Sequence, residues 1–113
     1  MKILIADDHA IVREGVKQLV KKLPEVTLID EASEGNEALR MIKKVGYDLA
    51  ILDISMPGLS GLDILRNISE RKLNTRVLML SFHPQEQYAI RAFKLGASGY
   101  LSKDSAYDEL ITA

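Results

Sequence analysis

The sequence contains no cysteine and no tryptophan. Without cysteine there are no disulfides, thiolate metal sites or cysteine nucleophiles, and a cytoplasmic location is permitted. An excess of charge of either sign is also missing: 15 Lys and Arg face 16 Asp and Glu, a net charge of −1. Nucleic acid and anionic membrane are both bound through concentrated positive charge, so this chain does not bind DNA through bulk charge. No apolar run approaches the roughly 18 residues needed to cross a bilayer. The opening run Ile3-Leu4-Ile5-Ala6 ends at Asp7-Asp8. That is too short for the core of a signal peptide, so the chain is expected to begin directly with structure. Repeats, low-complexity segments and linkers are also missing. What remains is 113 residues, 47% apolar and 27% charged, which describes one globular domain and leaves no room for two.

Short apolar runs recur at a regular beat: Ile3–Ala6, Val26–Ile29, Leu49–Leu52, Val77–Leu80 and the weaker Ser98–Leu101. They lack polar alternation, the pattern of strands buried on both faces of a parallel sheet. Helical spacing fills the intervals. Val12, Val16, Leu19, Val20 and Leu23 form one stripe, with Arg13, Glu14, Lys17, Lys21 and Lys22 on the opposite side and Pro24 as the stop. A second helix is predicted from about Asn36 to Val45 with Gly46 as its C-cap, a third from about Ser60 to Arg71, and a fourth from about Pro84 to Leu95. A fifth would begin near Ser105. Strand and helix thus alternate five times, which predicts a doubly wound α/β fold with helices on both faces. Its five parallel strands would run in the order 2-1-3-4-5, with a ligand crevice beyond the carboxyl ends of strands 1 and 3.

The strands end in Asp7-Asp8-His9, Asp53, Ser81-Phe82-His83 and Ser102-Lys103-Asp104. Three carboxylates, a hydroxyl and a lysine are therefore predicted on one rim. Singly these are weak signals: an Asp at a strand end often caps the next helix, and a lone Lys after a strand is usually solvated. Across four strand ends they form a site. Crowded carboxylates need a cation, and hard oxygen donors suit Mg²⁺. Its open positions suit a phosphoryl oxygen, Lys103 adds a mobile positive charge, and an aspartate can act as a nucleophile toward phosphorus.

These residues resemble the receiver domain of two-component response regulators over nearly the whole chain. Asp7-Asp8 are similar to the family's metal-binding acids. Asp53, in Leu52-Asp53-Ile54-Ser55-Met56-Pro57-Gly58, is similar to its phosphoacceptor. Ser81 corresponds to the hydroxyl that contacts the phosphoryl group, Tyr100 to the aromatic switch and Lys103 to the characteristic lysine. The resemblance implies a flavodoxin-like fold and a phosphoryl group taken from a sensor histidine kinase onto Asp53. It implies Mg²⁺ (or Mn²⁺) held by Asp8, Asp53, the Ser55 carbonyl and, through water, Asp7. Phosphorylation and later hydrolysis would be self-catalysed. Recruitment of Ser81 would let Tyr100 rotate inward and reshape the face of helix 4, strand 5 and helix 5, with a phosphorylation-dependent homodimer among the outcomes.

The segments Asp7-Asp8-His9, Ile11-Val12-Arg13-Glu14-Gly15, Leu80-Ser81-Phe82-His83 and Leu95 to Asp104 are similar to the NarL/FixJ group. That likeness implies a cytoplasmic protein with a C-terminal helix-turn-helix output domain that binds DNA. Residues 1–113 would then be the receiver alone, cut within helix 5: only roughly nine residues follow the start near Ser105, against about 11–12 for an ordinary helix. One departure is Asp104, where many receivers carry a proline. Another is bulky Phe82, expected to restrict access to the phosphoryl site. Two other function classes are a phosphate-independent interaction module of the same fold and a flavin-binding domain. The latter needs a phosphate-binding loop after strand 1, where Asp7-Asp8 would repel the anion. His9 and His83 could be transition-metal ligands; otherwise His9 caps or contacts helix 1 and His83 lies at the rim.

Overall fold

A computed structural model describes residues 1–54, 56–81 and 94–102 of the chain, without the side chains of Ser81 and residues 100–102. Five strands, β1 (Lys2–Ala6), β2 (Leu28–Ala32), β3 (Leu49–Asp53), β4 (Arg76–Ser81) and β5 (Gly99–Ser102), and three helices, α1 (Ala10–Val20), α2 (Gly35–Val45) and α3 (Gly61–Glu70), lie within these residues. The predicted fifth helix, the predicted fourth helix up to residue 93, Phe82, His83 and Lys103 fall outside them, as does Ser55.

All strand pairs are parallel, in the predicted order β2-β1-β3-β4-β5. Side chains alternate across a strand, and two cores follow from that alternation. Ile3, Ile5, Ile51 and Leu80 point to one face, where Val12, Val16 and Val20 of α1 cover them. Leu4, Ala6, Ala50, Leu52, Val77 and Met79 point to the other, against Ala38, Leu39 and Ile42 of α2 and Leu62, Ile64, Leu65 and Ile68 of α3. The chain order reverses between β1 and β3, so the connections leaving these neighbours diverge to opposite faces and leave a crevice at their carboxyl ends. Among the described residues no helix is long and apolar enough to cross a membrane.

Two boundaries and one helix face depart from expectation. Helix α1 ends at Val20, before Pro24. The chain closes there in tighter turns, Lys22 N–H to Leu19 O at 3.3 Å and Leu23 N–H to Val20 O at 3.1 Å, which leaves Leu23 43% exposed. Arg13 and Lys17, predicted on the solvent side, instead meet Glu31 of β2 at 3.4 and 3.5 Å. Strand β2 occupies Leu28–Ala32 rather than Val26–Ile29, pairing Lys2 with Leu28 through Ala6 with Ala32. As an edge strand it is only partly covered, so it tolerates Asp30 and Glu31 where the apolar reading stopped. Both acids are answered: Glu31 by the two α1 cations, Asp30 by the Tyr47 hydroxyl, which donates to its Oδ2.

Tyr47 is 2% exposed. Burial, reinforced by the bond to Asp30 and by that carboxylate's charge, pushes the phenol well above its ordinary value of 10.0. In the sense of proton linkage, the folded state holds this proton more tightly than the unfolded chain. The contribution is complete below pH 10 and is lost as pH rises above it, where the unfolded chain ionises first. Tyr47→Phe is expected to cost about 1 kcal/mol at neutral pH and to flatten the fall of stability above pH 10. Urea unfolding at pH 7 and at alkaline pH measures both; an alkaline slope equal to wild type would contradict this account.

Candidate metal and phosphoryl site

The crevice collects acids from two strand ends. Asp7 follows β1 directly, its N–H donating to Ala32 O at 3.0 Å to extend the β1–β2 ladder, and it is fully buried. Asp53 is the last residue of β3 and is 3% exposed. Asp8 opens to solvent. Asp7, Asp8, His9 and Asp53 each place one ligand atom within 4.8 Å of all the others. The three carboxylates predicted to converge therefore do so, and His9 joins them.

Neither aspartate caps α1. The N-cap is His9, extended at φ −100° and ψ 110°, and its side chain makes no capping bond. Its N–H instead donates back to Asp7 Oδ1 at 2.8 Å, and its ring Nδ1 sits 3.0 Å from Asp7 Oδ1 and 3.1 Å from Asp8 Oδ1. Arg13, one turn into α1, donates from its guanidinium to the Asp7 carbonyl at 2.6 Å. The helical spacing places Arg13 on the outer side of α1 and carries no signal for a bond to a strand end.

The loop after β3 is clamped at both sides. Ile54 N–H donates to Leu80 O at 3.1 Å, Gly35 N–H to Pro57 O at 3.0 Å and Gly61 N–H to Ile54 O at 2.9 Å. A capping box then starts α3, with the Ser60 hydroxyl accepting from Asp63 N–H and the Asp63 carboxylate accepting from Ser60 N–H. On the neighbouring strand, Leu80 is paired with Asp53, so Ser81 lies one residue further toward the crevice, at the end of β4. Tyr100 is a β5 residue paired with Met79. The positions of Ser55 and Lys103, and the side chains of Ser81 and Tyr100, lie outside the described residues.

Two buried carboxylates beside a third disfavour one another unless positive charge is supplied. Three oxygen donors and one nitrogen within this span fit a small divalent cation, with solvent on the Asp8 side to complete its shell.

A doubly wound five-stranded parallel sheet with an acidic cluster at its switch point defines a receiver-type fold. The chain belongs to the response regulator receiver domain family, which it matches over residues 3–113. It is 39% identical over 111 residues to the nitrate/nitrite response regulator protein NarL of Escherichia coli K12, covering 98% of this chain and 51% of NarL. To the transcriptional regulatory protein DegU of Brevibacillus brevis it is 37% identical over 113 residues, covering 100% of this chain and 48% of DegU. The solved receiver domain of NarL from Mycobacterium tuberculosis superposes with a TM-score of 0.86 at 35% identity, covering 98% of this chain and 90% of that one. A LuxR-family two-component response regulator from Aurantimonas gives 0.83 at 35%, covering 99% and 80%. These relatives support the NarL/FixJ group. The chain spans about half the length of the NarL and DegU proteins it matches.

Proposed function

We propose that this domain accepts a phosphoryl group from a sensor histidine kinase on Asp53 and uses it to control a DNA-binding transcriptional output in the cytoplasm. The supporting observation is the placement of Asp53, nearly buried at the end of β3 and grouped with Asp7, Asp8 and His9. In the transfer, a carboxylate oxygen of Asp53 attacks phosphorus. A P–O bond forms as the P–N bond to the kinase histidine breaks, and the imidazole leaves with the electron pair. Water later cleaves the acyl phosphate and restores the carboxylate.

Each residue has a part in this reading. Asp8, Asp53, the Ser55 carbonyl and, through water, Asp7 would hold Mg²⁺ or Mn²⁺. Bound there, the ion would neutralise charge on the transferring group. Lys103 would add a second positive charge. Ser81 would contact the phosphoryl oxygens and draw Tyr100 with it, reshaping the surface of the fourth helix, β5 and the fifth helix. A homodimer that forms on phosphorylation, and a C-terminal helix-turn-helix domain that meets DNA, complete the scheme.

The test is direct. Wild-type protein given acetyl phosphate and Mg²⁺ is expected to gain the mass of one phosphoryl group, and Asp53→Asn none. No gain on the wild type would leave the phosphate-independent interaction module as the better account.

A further inference from the structure

Strand β2 forms one edge of the sheet. Among the described residues it pairs with β1 alone, so its other side carries unpaired backbone N–H and C=O groups. Ala32 O accepts from Asp7 N–H. Successive residues of a strand turn their backbone groups to opposite sides, so Ala32 and Asp30 face β1 while Ile29 and Glu31 face outward. Edges are ordinarily guarded by charge or proline. No proline lies within Leu28–Ala32, and both of its charges are engaged inside the chain: Glu31 by Arg13 and Lys17, Asp30 by the Tyr47 hydroxyl. The edge is therefore open to a further strand. A row of cations runs beside it. Arg13, Lys17 and Lys21 follow one another at intervals of four residues and share one side of α1. Lys17 and Lys21 wall a groove of about 310 Å³, completed by Val26, Thr27, Leu28 and Ile29. Lys21 is exposed and has no ion pair among the described residues.

We infer that the free edge of β2 docks an extended segment of a protein partner in which acidic and apolar residues alternate, added to the sheet as a further strand beside Lys17 and Lys21. The spacing carries the alternation. Four residues of helix advance about 6 Å, and two residues of an extended strand about 6.6 Å. Acids at i and i+2 of the incoming strand therefore meet Lys17 and Lys21 in turn. Ile3 pairs with Ile29 and Ile5 with Glu31, so these β2 residues face α1 and Leu28 faces the other side. The apolar residues of the incoming strand would lie on that side, next to Leu28, which is 38% exposed. Backbone pairing gives affinity in this mode and the side-chain alternation gives specificity. A second copy of this chain fits less well. Antiparallel pairing of β2 with β2 about its centre would set the two Asp30 carboxylates opposite one another.

The peptide acetyl-Val-Glu-Val-Glu-Val-amide, titrated into the whole chain in the millimolar range, tests this by amide chemical shifts and hydrogen exchange. Binding is expected to shift the amides of β2, Lys17 and Lys21 and to slow exchange at Ile29 and Glu31, whose N–H groups a ligand held by charge alone would leave open. The isomer acetyl-Val-Val-Glu-Glu-Val-amide keeps the charge but breaks the period, and is expected to bind about 5-fold more weakly or worse. That comparison uses the wild type and does not depend on the folding of a variant. Lys21→Glu reverses an exposed charge and is expected to weaken the first peptide by about 5-fold. Lys44→Glu, the same change on α2, is expected to leave it unaltered. Equal binding of the two isomers, unaltered binding by Lys21→Glu, or undiminished exchange at Ile29 and Glu31 overturns the proposal. Exchange at those amides that slows with the concentration of the chain alone would assign the edge to a second copy, and overturns it too.

Discussion

Gly61→Ala is expected to destabilise the domain by about 3 kcal/mol, and Gly35→Ala by at least as much. Helix propensity alone points the other way: Gly to Ala within a helix gains about 1 kcal/mol and narrows the unfolded ensemble. Tertiary contact reverses the sign. Gly61 opens α3 directly beneath the end of β3, and a Cβ there would stand 2.2 Å from the Asp53 carbonyl oxygen and 2.9 Å from its carbonyl carbon. At Gly35, the start of α2, a Cβ would meet the Leu59 carbonyl oxygen at 1.9 Å. In both cases the obstacle is backbone, which cannot swing aside as a side chain can. Both obstacles also belong to the stretch from Asp53 to Leu59, so on the proposed role of Asp53 as phosphoacceptor Gly61→Ala is expected to slow phosphorylation as well. Gly46 is a useful control: its φ of 71° strains any other residue, but nothing lies within 4 Å of the added carbon. Gly46→Ala should therefore cost only about 1 kcal/mol. Urea unfolding of the three variants measures the order. A Gly61→Ala protein within about 0.5 kcal/mol of wild type would show that the end of β3 yields freely.

Mg²⁺ is expected to raise the thermal midpoint of the wild type and to leave that of Asp7→Asn nearly unchanged. The folded domain holds Asp7, Asp8 and Asp53 within one small span, whereas the unfolded chain scatters them. A cation bound only by the folded state adds stability as its concentration exceeds the dissociation constant, about 2.7 kcal/mol at a hundredfold excess. Asp7→Asn keeps the oxygen that accepts from His9 N–H but removes one negative charge from the cluster. The Mg²⁺-dependent increment should then fall to less than about a third of the wild-type value. Salt also relieves repulsion by screening, so the comparison is made at equal ionic strength. An equal increment from NaCl would remove the metal from the account, and addition of EDTA to the Mg²⁺-loaded protein should return it to its starting midpoint.

Much of this was legible without coordinates because it is local. Strands β1, β3 and β4 are covered on both faces and so are written as uninterrupted apolar runs. Asp53 stands at the end of one such run, and Asp7-Asp8 at the end of another. Regular alternation with helical stripes was enough for the parallel sheet and its order, since short right-handed crossovers permit few alternatives. Strand β2 was not legible in the same way. It is an edge, and its pairing continues through Asp30 and Glu31, whose partners Tyr47, Arg13 and Lys17 lie elsewhere along the chain.

The sequence by itself therefore determined the architecture and the chemistry available at the strand ends, because burial and periodicity are written in neighbouring residues. Tertiary structure alone decided that His9 turns its ring to the acids, that Arg13 holds the Asp7 carbonyl, and that Gly35 and Gly61 admit no side chain. Gly35 meets Leu59 from a distant part of the chain; the other contacts are near in sequence but depend on how the backbone turns from each strand into the next helix, which no pattern of residue types records.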